Sequence, residues 1–328
     1  MAAPDPTRAR FPHAEPNGGM YESFYLRAVH PEQPLGVWIR YTVEKRPGDR
    51  ATGSLWFTLF DAERAGPRAS KVTLPGPEAG DRDWIRIGES RFGPGEVSGE
   101  AGDCAWELRF EHSDGPLFHL PRAWMYGVPL PRTKLLSPAP AARFSGRLRV
   151  GDEEMPVEGW RGMIGHNWGA QHAERWIWLH GVGFEGAPEA TWLDAAIGRI
   201  KVGPLTTPWI ANGALSLDGR RHPLGGPRRA RRTAVRETPE RCDFVLPGRE
   251  VSVHGTVSAE RREVVGWVYA DPDDSEHHVS NCSIADMRLI VSRSGREPLT
   301  LEVAAGAAYE LGTREGDHGV PPQPFRGA

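Results

Sequence analysis

Residues Tyr21–Asp61 read YESFYLRAVHPEQPLGVWIRYTVEKRPGDRATGSLWFTLFD. Three runs stand out in this stretch, Tyr21–Val29, Leu35–Val43 and Gly53–Asp61. Each alternates with period two and is rich in Trp, Phe, Tyr, Val, Ile and Thr, the residues that suit a pleated, half-buried strand. The same style continues outward through Trp84–Ile87, Glu96–Ala101, Ala105–Glu111, Ala142–Val150 and Met155–Gly162. It then runs through Arg175–Phe184, Thr191–Val202, Trp209–Leu217, Thr233–Val245, Glu250–Val257, Glu263–Tyr269, Val279–Val291 and Leu299–Ala304. Glycine (39) and proline (30) break the chain between the runs, and no long amphipathic helix interrupts them. The reading is an all-β chain. So many strands exceed one small barrel, so two antiparallel β barrels in tandem are expected. The expected division is a flexible lead over residues 1–19, barrels over 20–170 and 171–315, and a tail over 316–328. No exact repeat relates the halves, so any relation between them is structural only.

Composition narrows the function classes. With 39% hydrophobic and 25% charged residues in 328, the chain can bury a core. A net charge of −3 gives no general pull toward nucleic acid or an anionic membrane. Cys104, Cys242 and Cys282 are isolated from one another, which argues against a disulfide framework and a cysteine zinc site and fits a reducing, cytoplasmic setting. The opening residues have no apolar core of a signal peptide, and no window approaches the ~18 apolar residues of a membrane span. Peripheral membrane contact and oligomeric state are left open. Arg220–Arg236 holds seven arginines but little aromatic interleaving, and reads as a solvated hairpin rather than a nucleic-acid patch. Phe118–Pro140 is proline-rich yet carries Trp124, Met125, Tyr126 and Leu130, which suits an ordered lid or plug. Phosphate loops, nucleophile elbows and dinucleotide fingerprints are all missing from the sequence.

Chemistry concentrates in Trp160–Gly181, WRGMIGHNWGAQHAERWIWLHG. His166, His172 and His180 match no zinc spacing, so neither metal nor cofactor is expected. Alternation places Trp176, Trp178 and His180 on one face of a strand, the composition of a small-molecule pocket wall. Asp194 lies in the apolar run Thr191–Gly198. A buried carboxylate there is costly unless paired, and its pKa is expected to rise, making it a candidate proton donor. The alternative is an ion pair with Arg199 or Arg40. Glu22 and Arg40 are expected as a salt bridge at a barrel rim. Trp192, Trp38, Tyr25, Arg40, Tyr126 and Asn281 are further candidate substrate contacts.

Gly165-His-Asn-Trp-Gly169, followed by Trp176-Ile-Trp178, resembles the superfamily of carotenoid 1,2-hydratases (hydroxyneurosporene synthases), tocopherol cyclases and Diels–Alderase-type cyclases. Tyr21–His30, Pro129–Lys134 and Asn281–Asp286 resemble bacterial members of that group. The resemblance implies two lipocalin-like barrels and an apolar isoprenoid or polyketide substrate. It also implies protonation of a carbon–carbon double bond, followed by cyclisation, isomerisation or hydration. It places His166, Trp168 and Asp194 in the catalytic set, with Trp192 where carotenoid hydratases carry tyrosine. The sequence thus leads to an enzyme that needs no cofactor, with Asp194 as acid and His166 as its tuning partner. The rival readings are a lipid carrier without catalysis and a scaffold without a small-molecule site.

Overall fold

The computed structural model describes residues 4–325 apart from 16, 81, 316 and 317. Its first sheet uses β1 (Met20–Val29), β2 (Leu35–Lys45), β3 (Thr52–Asp61), β4 (Arg68–Pro75), β5 (Ile85–Ile87), β6 (Ser90–Gly93), β7 (Glu96–Ala101), β8 (Cys104–Glu111), β9 (Leu117–Phe118), β10 (Thr133–Val150) and β11 (Glu153–Gly169). The second half contains β12 (Arg175–Val182), β13 (Trp192–Arg199), β14 (Lys201–Val202), β15 (Leu205–Thr206), β16 (Ile210–Leu217), β17 (Arg220–Gly225), β18 (Ala234–Thr238), β19 (Arg241–Pro247), β20 (Val251–Ser258), β21 (Val265–Ala270), β22 (Glu276–Arg293) and β23 (Leu299–Thr313). Each half curls into a lipocalin-like antiparallel barrel, so the all-β, two-barrel expectation holds. Closure of the first barrel is close: a Cβ added to Gly53 of β3 would lie 2.8 Å from the Ile87 side chain of β5.

The two barrels share one strand order. In the first it is β4-β3-β2-β1-β11-β10-β8-β7-β6-β5, with β9 laid on β10. In the second it is β17-β16-β13-β12-β23-β22-β20-β19-β18, with β21 laid on β22. Both therefore join their first strand to their last, and both carry a long penultimate strand that changes register midway. Those shifts fall between Leu136 and Ala142 in β10 and between Cys282 and Met287 in β22. In β10 the shift coincides with Pro138 and Pro140, which cannot donate to a ladder.

Strands β1 to β3 are buried along nearly their whole length, which a half-solvated barrel would not produce. One alternate set, including Phe24, Leu26, Val37, Ile39, Tyr41 and Phe57, fills the first barrel. The other set faces the second barrel: Trp38 and Trp56 join the second barrel's core and pack on Trp267. Arg27 crosses the same seam. It is fully buried and donates to His180 Nδ1 at 2.8 Å, to the Ser283 carbonyl at 2.8 Å and to the Gly306 carbonyl at 3.3 Å.

Several details of the sequence reading change. The GHNWG motif, which no strand run of the sequence reading included, is the end of β11, with β1 and β10 paired along it on both sides. Thr233–Val245 is a hairpin of β18 and β19 rather than one strand. The lead is docked rather than flexible over its described residues: Ala9 and Phe11 are buried, and the Arg10 and Phe11 backbone N–H groups donate to Glu22 at 2.8 and 2.7 Å. That capture of Glu22 leaves no Glu22–Arg40 salt bridge. The arginine-rich run is not a plain hairpin, since Pro227–Arg232 forms a 3-10 turn after β17. No helix of the described residues is long and apolar enough to cross a membrane.

Candidate functional site

A cavity of about 380 Å³ opens in the seam between the barrels, within the usual range for small-molecule sites. Its walls come from both halves. Tyr25, Trp38 and Arg40 of the first barrel face Trp176, Trp178 and Tyr269 of the second. The segment after β9, expected as a lid or plug, forms part of the wall through Leu120, Pro121, Met125, Leu130 and Pro131. Tyr126, expected to touch substrate, instead pins this segment: its hydroxyl accepts the Leu120 N–H at 3.1 Å and donates to the Leu135 carbonyl at 2.9 Å.

Strand alternation decides which motif residues reach this cavity. On β11 Asn167 faces it, so His166 and Trp168 point the other way, into the first barrel. His166 is fully buried and stacks on Phe24 at 3.9 Å. Its Nε2 lies 2.8 Å from Glu22 Oε1 and its Nδ1 2.8 Å from the Pro6 carbonyl. Trp168 packs with Tyr126 and Leu136 beneath the Arg10 guanidinium. Both residues therefore clamp the N-terminal segment, and His166 is not a partner of Asp194. His180 belongs to the row that lines the cavity but lies beyond it, against Arg27, and donates from Nε2 to the Pro140 carbonyl at 2.9 Å. Trp192 is likewise off the cavity, with its indole N–H on Asp114 Oδ2 at 2.6 Å. Asn281 stands behind the wall and donates to Glu310 at 3.1 Å. Trp176, Trp178, Trp38, Tyr25 and Arg40 line the cavity.

Glycine makes two of these placements workable. The Tyr25 ring lies across Gly165 of the facing strand, where an added Cβ would sit 2.0 Å from Cζ. Trp176 lies across Gly312 in the same way, with a separation of 2.1 Å. An aromatic ring laid over a cross-strand glycine is a known way to hold both in place.

Asp194 is fully buried behind the wall. Its Oδ2 accepts from Ser137 Oγ at 2.5 Å and its Oδ1 from the Trp178 indole at 3.2 Å. His119, which lines the cavity, places Nε2 3.4 Å from the same Oδ2. Burial alone would push the carboxyl up, as the sequence suggested. The neighbouring His119 charge and the hydrogen bonds outweigh it, and Asp194 is held below its usual range. The pKa expectation is therefore reversed, and no arginine is involved. The bias on the partner runs the other way: burial opposes the His119 cation, yet Asp194 raises its pKa, and Nδ1 lies 3.1 Å from the Asn212 carbonyl, to which it donates.

A second histidine faces the same cavity with the opposite bias. His172 donates from Nδ1 to Asp271 Oδ1 at 2.6 Å, and its Nε2 is buried without a partner. Burial lowers its pKa, with Arg40 adding to the effect and Asp271 opposing it. Beside it, Glu310 accepts from the Trp176 indole at 2.9 Å, the Tyr269 hydroxyl at 3.1 Å and Asn281. Trp176 thus leads to Glu310 and Trp178 to Asp194. The two indoles are two residues apart on β12, about 7 Å along the strand.

His172, Asp271 and His277 also bring ligand atoms within 4.8 Å of one another, a donor set suited to a divalent cation. Arg314 stands on this cluster, with Nη2 3.4 Å from Asp271 Oδ2, and Ser275 donates to the same oxygen at 3.3 Å. Those donors hold Asp271 in place behind His172, while both ring nitrogens of the buried His277 lack a hydrogen-bond partner.

Sequence reasoning missed His119, Glu310 and Tyr269, and met His172 only as a rejected metal ligand. Glu310 had a signal: it lies in the apolar run Ala307–Leu311, the same pattern that singled out Asp194.

No family model matches the chain. Two uncharacterized proteins of Mycobacterium tuberculosis, MT0513 of strain CDC 1551 / Oshkosh and Rv0493c of strain ATCC 25618 / H37Rv, are each 29% identical over 331 residues, 95% of this chain and 96% of theirs. Among solved structures, a candidate AttH of Nitrosomonas europaea is similar with TM-score 0.57 and 14% identity, covering 96% of this chain and 99% of that one. Kievitone hydratase of Nectria haematococca gives 0.59 and 10%, covering 92% of each chain. CghA with Sch210972 gives 0.63 and 12%, covering 97% of each. At these identities the likeness is one of fold, and the double lipocalin-like barrel is what the three structures share with this chain.

Proposed function

We propose that the chain is an enzyme that moves a proton on an apolar, unsaturated small molecule held in the seam cavity. The isoprenoid or polyketide class suits the walls. The observation that carries this reading is the pair of cavity histidines with opposite bias, each backed by a buried aspartate. Groups whose surroundings drive their pKa values apart are the usual mark of an acid and a base. His119 is the acid. Its Nε2–H has only long contacts, 3.3 Å to Ser137 Oγ and 3.4 Å to Asp194, so it is free to leave, and Asp194 steadies the cation until then. His172 is the base, with an Nε2 lone pair unoccupied and Asp271 ready to hold the imidazolium that forms. Trp38, Trp176 and Trp178 offer ring faces to a cationic intermediate and keep water away, which favours cyclisation or isomerisation over hydration. Proton transfer of this kind calls for no cofactor.

The test is turnover in D2O. The protein is incubated with a panel of unsaturated lipids, and the products are read by mass spectrometry. One deuterium at carbon is expected with the wild type and none with His119→Gln. A lipid retained by the wild type without any exchange would replace the enzyme reading with the carrier.

A further inference from the structure

Arg40 is out of place in an apolar cavity. It is 4% exposed and lines the wall. Its Nε donates to Ser23 Oγ at 2.6 Å and its guanidinium lies 4.2 Å from the Tyr269 ring centroid, yet it forms no ion pair among the described residues. The carboxylates in its neighbourhood are engaged elsewhere. Glu310 takes three donors, and Asp271 takes His172, Ser275 and Arg314. A buried cation without a counter-ion is costly, and a guanidinium presents a planar fork of donors that matches a carboxylate.

Two of the segments that line the cavity carry the same sign. Residues 119–135 and 196–212 contain no aspartate or glutamate. Between them they present Arg122, Arg132 and Lys201 as exposed cations. The chain as a whole is net negative, so this clustering is local rather than compositional.

We propose that the cavity takes an amphiphile with one anionic head, a carboxylate or an enolate of similar shape, seated on Arg40 with its apolar body along Trp38, Trp176 and Trp178. This deepens the function proposed above and rests on it only in treating the cavity as a ligand site. Arg40 binds and orients, and the histidines act on the body of the molecule.

The probes are dodecanoic acid, 1-dodecanol and methyl dodecanoate, followed by quenching of tryptophan fluorescence at neutral pH. In the wild type the acid is expected to bind about tenfold or more tightly than the alcohol or the ester. In Arg40→Met, with folding checked by circular dichroism, the acid falls to the level of the alcohol while the alcohol is little changed. Equal binding of acid and alcohol by the wild type overturns the proposal without using any variant, as does an acid preference that survives in Arg40→Met. Absence of binding by all three probes removes the ligand-site reading itself, and this proposal with it.

Discussion

At the residue scale, partners decide what burial alone cannot. Asp194 was legible as unusual because a carboxylate in an apolar strand is rare. Its protonation was not legible, because His119 lies 75 residues away in sequence and only the fold brings it near. The pairing has a measurable sign. With Asp194 ionised, His119 stays protonated to higher pH, and activity that needs the acid falls as pH rises through that value. Asp194→Asn is expected to move this descending limb to lower pH by roughly 1–3 units, read from a pH–rate profile or an imidazole NMR titration. Arg27 and His180 give a stability counterpart. Burial, with Arg27 adding to it, holds His180 neutral down to about 4, against about 6.5 in an unfolded chain. The unfolded chain therefore binds the extra proton between those values. The stability contributed by His180 is complete above pH ~6.5 and is lost as pH falls toward 4, by about 3 kcal/mol. Urea melts across that window test this. Removing the guanidinium should cost more at neutral pH: Arg27→Ala is expected to lose about 3–5 kcal/mol, since it leaves a cavity and orphans two carbonyls and His180 Nδ1.

At the element scale, period-two alternation gave most of the strands, though it missed β4 and β17 and merged β18 with β19, and it did not give the side to which each face turns. The sequence reading put His166 and Trp168 in the site on the strength of the family resemblance alone. One position along β11, Asn167 reaches the cavity instead, and no local signal distinguishes the two phases when both faces are buried. The glycines of the motif are more informative than its histidine. Gly165→Ala is expected to push the Tyr25 ring from its seat and cost about 1–3 kcal/mol, with loss of ligand affinity as the ring moves into the cavity. A melting curve and the dodecanoic acid quench read both effects. A fully stable Gly165→Ala with unchanged affinity would show that Tyr25 does not depend on that gap. The long strands β10 and β11 were underestimated in length because prolines and glycines interrupt the pattern, although the ladder continues past them.

At the scale of the whole molecule, strand number and turn spacing were enough to read two barrels, while the site required their contact surface. Trp38 read as a substrate contact, and it does more than line the cavity. With Trp56, which carried no reading of its own, it builds the joint between the barrels, where Trp267 meets both. The halves should therefore not melt apart. Calorimetry is expected to show a single transition, and Trp267→Ala is expected to lower it by about 3–5 kcal/mol. Two resolved transitions would mean that the seam adds little to either barrel.

Residues 170–174 connect β11 to β12, and His172 lies among them. The link between the barrels is therefore not a passive tether, because the proposed base rides on the linker itself. Its position relative to His119 is set by the angle at which the halves meet, so any change of that angle acts as a vernier on the chemistry. A single glycine inserted after Ala170 should leave both barrels intact by circular dichroism and calorimetry while abolishing deuterium transfer. That would separate the machine's alignment from the soundness of its parts.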